Sequence, residues 1–272
     1  MNKNVLKVAM VQMTSEFADV NSNISRAVEF IKTASLNSAE IICFPELFTT
    51  GYNLELLKTQ FEELAEDIDG TSMTILREAA KESGIYVIAP FIQKNIKGKP
   101  YNTAVLIDPS GEISCIYSKI HLFGREKDFF EAGKEFHVIN IGKCSIGIII
   151  CYDMNFPETC RENALMGADI VFVCSAWRIQ DKNKWDILPL ARAIDNGIYV
   201  VAVNAYNIYE NLHLFGGSRI INPYGDTIAF GGSDRESLTI ADLDLDEVEK
   251  YREQSGVLTS RKPETYKLIC KE

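Results

Sequence analysis

The chain has 272 residues, 46% of them hydrophobic and 24% charged, with 17 Gly and 8 Pro; disordered, collagen-like and coiled-coil classes are excluded. Its 28 Lys and Arg stand against 38 Asp and Glu, a net charge of -10, which gives phosphate backbones no broad attraction and excludes nucleic-acid binding as the main task. No apolar run approaches the roughly 18 residues of a membrane-spanning helix, and the N-terminal run, interrupted by Lys7 and Gln12, reads as a first strand rather than a signal peptide.

In chain order, the first strand is predicted over 5–11. Ile24, Ala27, Val28, Ile31 and Ala34 recur at helical spacing and predict a helix over 24–35, capped by Asn21 or Asn23. A short buried strand over 41–44 ends at Pro45. Helices are predicted over 54–66 and 72–83, the second stopped by Gly84, followed by a strand over 86–92. Strands over 101–108 and 113–117 flank Pro109-Ser110-Gly111 and read as a hairpin. Strands over 136–141 and 144–150 pair around Gly142. A helix over 157–166 ends at Gly167, and a strand over 170–174 follows. Then come a helix over 185–196 ended by Gly197 and a strand over 198–203. Strands over 219–222 and 227–230 pair across Pro223-Tyr224-Gly225-Asp226; a strand over 237–242 leads to a closing helix over 245–252.

Strand–helix alternation implies parallel crossovers, and the hairpins add antiparallel pairs. Runs apolar enough to be buried on both faces suggest two packed sheets with helices outside, a mixed α/β fold. No Pro-, Gly- or Ser-rich linker interrupts the chain, so one domain over 1–272 is expected. Seven cysteines, an odd count without a CxxC pair, argue against a disulfide framework and for a reducing cytoplasm. His121, His137 and His213 are scattered, which argues against a zinc site.

Three residues stand where chemistry could be done. Cys151 follows Ile148-Ile149-Ile150 and precedes a helix that opens at Pro157. A nucleophile there would sit at a sheet edge, with backbone N–H groups of the turn available to an oxyanion. Glu46 follows the apolar run 41–45, and a carboxylate held between buried segments is suited to act as a general base. Lys119 ends the strand over 113–117 before Ile120-His121-Leu122-Phe123, where it could be a fixed cation. Taken singly, each also fits a core thiol, an ion-paired Glu or a surface Lys. No histidine has a context that would make a Cys–His pair, so a carboxylate base is the more economical choice. GxSxG, GxxxxGK[ST] and GxGxxG patterns are absent.

Together the three contexts resemble the nitrilase, or carbon–nitrogen hydrolase, superfamily. The resemblance rests on Phe44-Pro45-Glu46-Leu47, on Tyr117-Ser118-Lys119-Ile120-His121-Leu122-Phe123 and on Gly147 through Asp153, continuing to Phe156-Pro157-Glu158. It extends through Lys184-Trp185, Ala191 to Asn196, Gly217 to Gly225 and Arg261 to Tyr266, essentially the whole chain. It implies a four-layer α-β-β-α sandwich, a C-terminal arm at about 252–272, and a homodimer or higher homo-oligomer that packs helices of neighbouring sandwiches. It also implies a Glu46–Lys119–Cys151 triad and a second glutamate. Glu126 is the choice, with Glu131 the alternative.

The implied reaction is hydrolysis of a small carboxamide. Glu46 takes the Cys151 proton, Lys119 and the Tyr152 backbone N–H hold the oxyanion, and water releases the acid with help from Glu126. No metal or organic cofactor is required. Asn155 stands where omega-amidase and deaminated-glutathione amidase branches usually carry Arg, and Tyr152-Asp153 replaces the Cys-Trp-Glu continuation usual in true nitrilases. The segment 121–126 looks closer to small-amide amidases. Tyr52, Trp177 and Arg178 are the substrate-binding candidates. An N-carbamoyl amidohydrolase or omega-amidase with the same triad is the alternative within the class; a non-catalytic binding module is the alternative outside it.

Overall fold

The structure, a computed structural model, describes residues 4–58 and 60–266. The last part of the expected arm, 267–272 with Cys270, lies outside the described residues. In chain order the elements are β1 (Val5–Gln12), α1 (Val20–Leu36), β2 (Ile41–Cys43), α2 (Leu54–Leu57), α3 (Phe61–Leu64), α4 (Thr71–Ser83), β3 (Tyr86–Gln93), β4 (Tyr101–Ile107), β5 (Ile113–Ser118) and α5 (Glu126–Phe129). They continue with β6 (Val138–Asn140), β7 (Ser145–Ile150), α6 (Pro157–Leu165), β8 (Ile170–Ser175), α7 (Lys182–Asn196), β9 (Tyr199–Asn204), β10 (Tyr206–Ile208), β11 (His213–Phe215), β12 (Arg219–Ile221), β13 (Thr227–Phe230), β14 (Ser237–Asp244) and α8 (Asp246–Ser255).

Among the described residues the strands form two six-stranded sheets, ordered β14-β1-β2-β3-β4-β5 and β13-β12-β9-β8-β7-β6, and a two-stranded ribbon, β10-β11. Each sheet has a parallel centre, β1-β2-β3 or β7-β8-β9, with antiparallel strands at its flanks. Alternation along β1 shows why the sheets stack. Leu6, Val8 and Met10 enter the core shared with the second sheet, while Ala9 and Val11 pack in the cluster that holds α1 and α4. On the far side, Cys160 and Ala164 of α6 and Trp185 and Ala193 of α7 join the second sheet's cluster. The result is the four-layer α-β-β-α sandwich.

Most predicted elements stand where the periodicity puts them, although α1 begins four residues early and the short α5 was not predicted; four further departures follow. The helix expected over 54–66 is two short helices, α2 and α3. Ala65 is extended and Glu66 bridges to Gln93, while Leu57 and Phe61 turn inward. The cap of α1 is Asp19, whose carboxylate accepts from the Ser22 N–H at 3.0 Å. Neither Asn21 nor Asn23 is the cap; Asn23 is buried and donates to the carbonyls of Glu16 and Thr49. The seventh helix starts three residues before Trp185 and carries Pro189 in its interior. The β10-β11 ribbon was not foreseen.

Gly147 marks a close approach of β7 to α6. A Cβ there would lie 2.0 Å from the Asn163 side-chain oxygen, whose residue is buried. Gly147→Ala is therefore expected to cost about 1–3 kcal/mol of stability as overpacking, read as a lower urea midpoint with an unchanged slope.

Candidate active site

Three strand ends and one short helix deliver four side chains to one point. Glu46 follows β2 in a tight turn whose next residue, Leu47, has φ 48°. Lys119 directly follows β5, and its N–H donates to the Asn102 carbonyl at 2.8 Å. Cys151 directly follows β7 and opens a 3₁₀ turn over Cys151–Asn155. Glu126 opens α5. The Lys119 ammonium donates to Glu46 Oε1 at 2.7 Å and to Glu126 Oε1 at 2.8 Å, and all three side chains are fully buried.

The carboxylates are held individually. Glu46 Oε1 also accepts from Asn102 Nδ2 at 2.7 Å, whereas Glu46 Oε2 has no partner in the protein. Glu126 takes the Tyr52 hydroxyl on Oε1 at 2.9 Å and the Phe123 N–H on Oε2 at 2.6 Å. Glu46 is therefore left with one free lone-pair oxygen, and Glu126 has none of its oxygens unpaired. Glu131, the alternative second glutamate, is exposed and bridges to Tyr101 instead; the structure brings Glu126, not Glu131, to the ammonium.

Charge follows from burial here. Burial alone would lower the Lys119 pKa, but Glu126 and Glu46 more than offset it and hold the ammonium above the ordinary lysine range. Burial raises Glu126, with Lys119 pulling it down and Glu46 pushing it up. Burial pushes the Tyr52 hydroxyl well above its usual range, helped by Glu126. The Cys151 thiol is likewise held well above the usual range. Burial comes first, then the Glu46 charge, opposed by Lys119 and by the Ala176 backbone N–H.

Cys151 has φ 50°, a left-handed conformation unusual for a residue with a side chain. Two residues hold this turn. Asp153, fully buried, accepts on Oδ2 from the Tyr117 hydroxyl at 2.7 Å and the Ile150 N–H at 3.0 Å. On Oδ1 it takes the His121 N–H at 2.9 Å and faces His121 Nδ1 at 2.8 Å. It ties the strand end before Cys151 to the residues on either side of Lys119. Arg192, from α7, donates to the carbonyls of Met154 and Asn155 at 3.1 and 3.2 Å and closes the far end of the turn.

Cys151 opens into a cavity of about 40 Å³ lined by Tyr52, Phe123, Tyr152, Asn155, Trp177 and Arg178, among others. All three substrate-binding candidates, Tyr52, Trp177 and Arg178, line it. Sequence reasoning missed Asn102, a polar residue inside the apolar strand 101–107, which was signal enough to notice. It also gave no role to Asp153 or Arg192, whose partners are distant in sequence.

A two-sheet sandwich with a buried Lys between two carboxylates and a strained Cys at a strand end defines a cysteine-dependent hydrolase class of site. The carbon–nitrogen hydrolase family model matches residues 7–253, and the chain belongs to that family. A nitrilase of Pyrococcus abyssi is 34% identical over 96% of this chain and 99% of its own length. An omega-amidase of Homo sapiens is 30% identical over 98% of each. Among solved structures, a variant of the amidase from Nesterenkonia sp. AN1, with the acetamide moiety of fluoroacetamide added covalently at its active-site cysteine, superposes with a TM-score of 0.84. It shares 27% identity, covering 95% of this chain and 94% of that one.

Removing the ammonium should expose what it neutralises. Lys119→Met leaves two buried carboxylates facing each other and is expected to cost about 3–5 kcal/mol, measured by urea unfolding. Because the folded Lys119 pKa lies above the ordinary 10.5, its contribution is fully present below that pH and is lost as pH rises through the folded value. Wild type should therefore lose more stability than Lys119→Met when both are titrated upward from pH 10.5.

Proposed function

We propose that the protein hydrolyses the C–N bond of a small carboxamide through a thioester on Cys151, releasing ammonia and a carboxylic acid. The observation that carries this reading is the unpartnered Glu46 Oε2 in the buried cluster that also holds the Lys119 ammonium and the Cys151 thiol. Glu46 takes the thiol proton, and the sulfur attacks the amide carbon. The Lys119 ammonium and the Tyr152 backbone N–H, at the first step of the 3₁₀ turn, hold the oxyanion. Collapse breaks the C–N bond, and Glu46 returns the proton to the leaving ammonia. Water, deprotonated by Glu46, then adds to the thioester carbon while Glu126 keeps the ammonium in place; the C–S bond breaks, the acid leaves and Glu46 returns the proton to the Cys151 sulfur. Dividing the hydrolysis into two easier steps is the gain of a covalent intermediate.

The acyl group is short. A cavity of about 40 Å³ has room for roughly three water-sized positions, most of which the amide itself takes. A second reading, an omega-amidase acting on a dicarboxylate monoamide, is favoured by Arg178 and Lys184 at the cavity wall, two cations against the single carboxylate of Asp181. Relatives named for that activity include a 2-oxoglutaramate amidase of Bacillus subtilis, 31% identical over 95% of this chain.

We read residues 1–272 as one hydrolase domain with an arm from about 252, working in the cytoplasm. The six described cysteines are all unpaired, which supports a reducing compartment. No helix among the described residues is long and apolar enough to cross a membrane. We also propose a homodimer built on the α6–α7 layer. Ile187 and Ile194, one heptad apart on α7, are exposed together with Leu165 and Met166 at the end of α6. Ile194 lies against the Tyr224-Gly225 turn.

Two measurements test these proposals. Ammonia release and intact mass, with acetamide, butyramide, glutaramate, N-carbamoyl compounds and a nitrile, should show product and a transient acyl adduct on wild type. Cys151→Ala should keep the far-UV spectrum and lose both. Turnover by that variant, or a folded wild type inert to the whole panel, would favour a non-catalytic module. Ile187→Glu with Ile194→Glu should halve the mass seen by light scattering; an unchanged mass removes this face from the interface.

A further inference from the structure

Arg178 lines two spaces at once. One is the cavity on Cys151, about 40 Å³; the other is an outer vestibule of about 370 Å³, bounded by residues 52–55, 123–125, 178, 180 and 211–212. Tyr52 and Phe123 also line both. Two of the residues common to both spaces are stacked on each other. The Arg178 guanidinium carbon lies 5.0 Å from the Phe123 ring centroid, a cation–π distance. Phe123 meets the Tyr152 ring edge-on at 5.0 Å. The guanidinium is pinned by Asp181, whose Oδ2 accepts from Arg178 Nε at 3.0 Å and from its terminal nitrogen at 2.5 Å. Asp181 in turn is held by Lys184 at 3.1 Å.

We infer that Arg178 and Phe123 form the wall that sets acyl-chain length, restricting the enzyme to short-chain carboxamides. This rests on the amidase reading above. The alkyl end of a bound amide would grow away from Cys151 towards the residues that the two spaces share. A chain longer than the cavity must displace the guanidinium from both the ring and Asp181. The vestibule immediately beyond is large enough to receive that chain, so the wall, and not lack of room behind it, is what discriminates. Phe123 contributes through its ring alone, since its backbone N–H is committed to Glu126.

The test compares chain lengths, with readouts that do and do not need turnover. Wild type, Arg178→Ala, Phe123→Ala and Asp181→Ala are assayed for hydrolysis of butyramide and hexanamide. In parallel, Cys151 is alkylated with 2-chlorobutyramide and 2-chlorohexanamide and followed by intact mass. There the sulfur forms a C–S bond as the C–Cl bond breaks, chloride leaves and Glu46 receives the thiol proton. Intrinsic reactivity cancels in the long-to-short ratio. Arg178→Ala and Phe123→Ala should raise that ratio about tenfold or more over wild type. Asp181→Ala should raise it less, since it unpins the wall without removing it. Ratios within about twofold of wild type in all three variants would overturn the wall. A shifted alkylation ratio in an enzyme that hydrolyses neither amide would uphold the wall and overturn the amidase reading.

Discussion

A fully buried ammonium between two fully buried carboxylates is the constraint around which this protein is arranged. Three charges removed from water at one point are tolerable only if each is bonded, because an uncompensated buried charge is among the costliest faults a fold can carry. The surroundings meet that condition. Asn102, Tyr52 and the Phe123 N–H supply the donors that Lys119 alone cannot. One oxygen is left over, Glu46 Oε2. That spare acceptor belongs to the same buried cluster as Lys119 and is where the proposed reaction needs a base.

The sandwich explains how such a cluster can exist. Glu46 and Lys119 come from one sheet and Cys151 from the other, so the site straddles the join between two sheets that share an apolar core. Packed side chains fix the strand ends, and the strain of the Cys151 turn is borne by bonds that span both sheets. Asp153 does this most directly, since its carboxylate joins Tyr117 and His121, on either side of Lys119, to Ile150 before Cys151. Lys119 and Cys151 are thus coupled through the backbone around them as well as through charge.

Much of the fold was readable because its sheets have strong apolar periodicity and its helices have glycine stops; Gly84 and Gly197 both take the left-handed conformation expected of such stops. The departures have local causes. Residues 54–66 have helical composition, yet Leu57 and Phe61 are drawn into a small cluster with Phe130 and Leu214, and the chain breaks to reach it. Asp19 outcompetes the nearby asparagines as a cap because Asn23 is spent on buried carbonyls that sequence spacing does not reveal. The β10-β11 ribbon is short and its apolar signal weak, and it is fixed by contacts around the site rather than by its own pattern.

The sequence by itself determined most of the strands, through apolar runs that must end at a sheet edge; the order of the layers and the choice of Glu46, Lys119 and Cys151 came from the resemblance that their three motifs carry together, since each residue singly also fits a structural role. It left Glu126 and Glu131 as competitors, since both sit in a loop whose path periodicity does not describe. Tertiary structure decided between them by burial: only Glu126 reaches the ammonium and finds donors for both of its oxygens. It also decided the pairing of Arg178 with Phe123 and Asp181, and the roles of Asn102, Asp153 and Arg192. Those are relations between residues far apart in the chain or folded back on a loop, and only packing brings such groups within bonding distance.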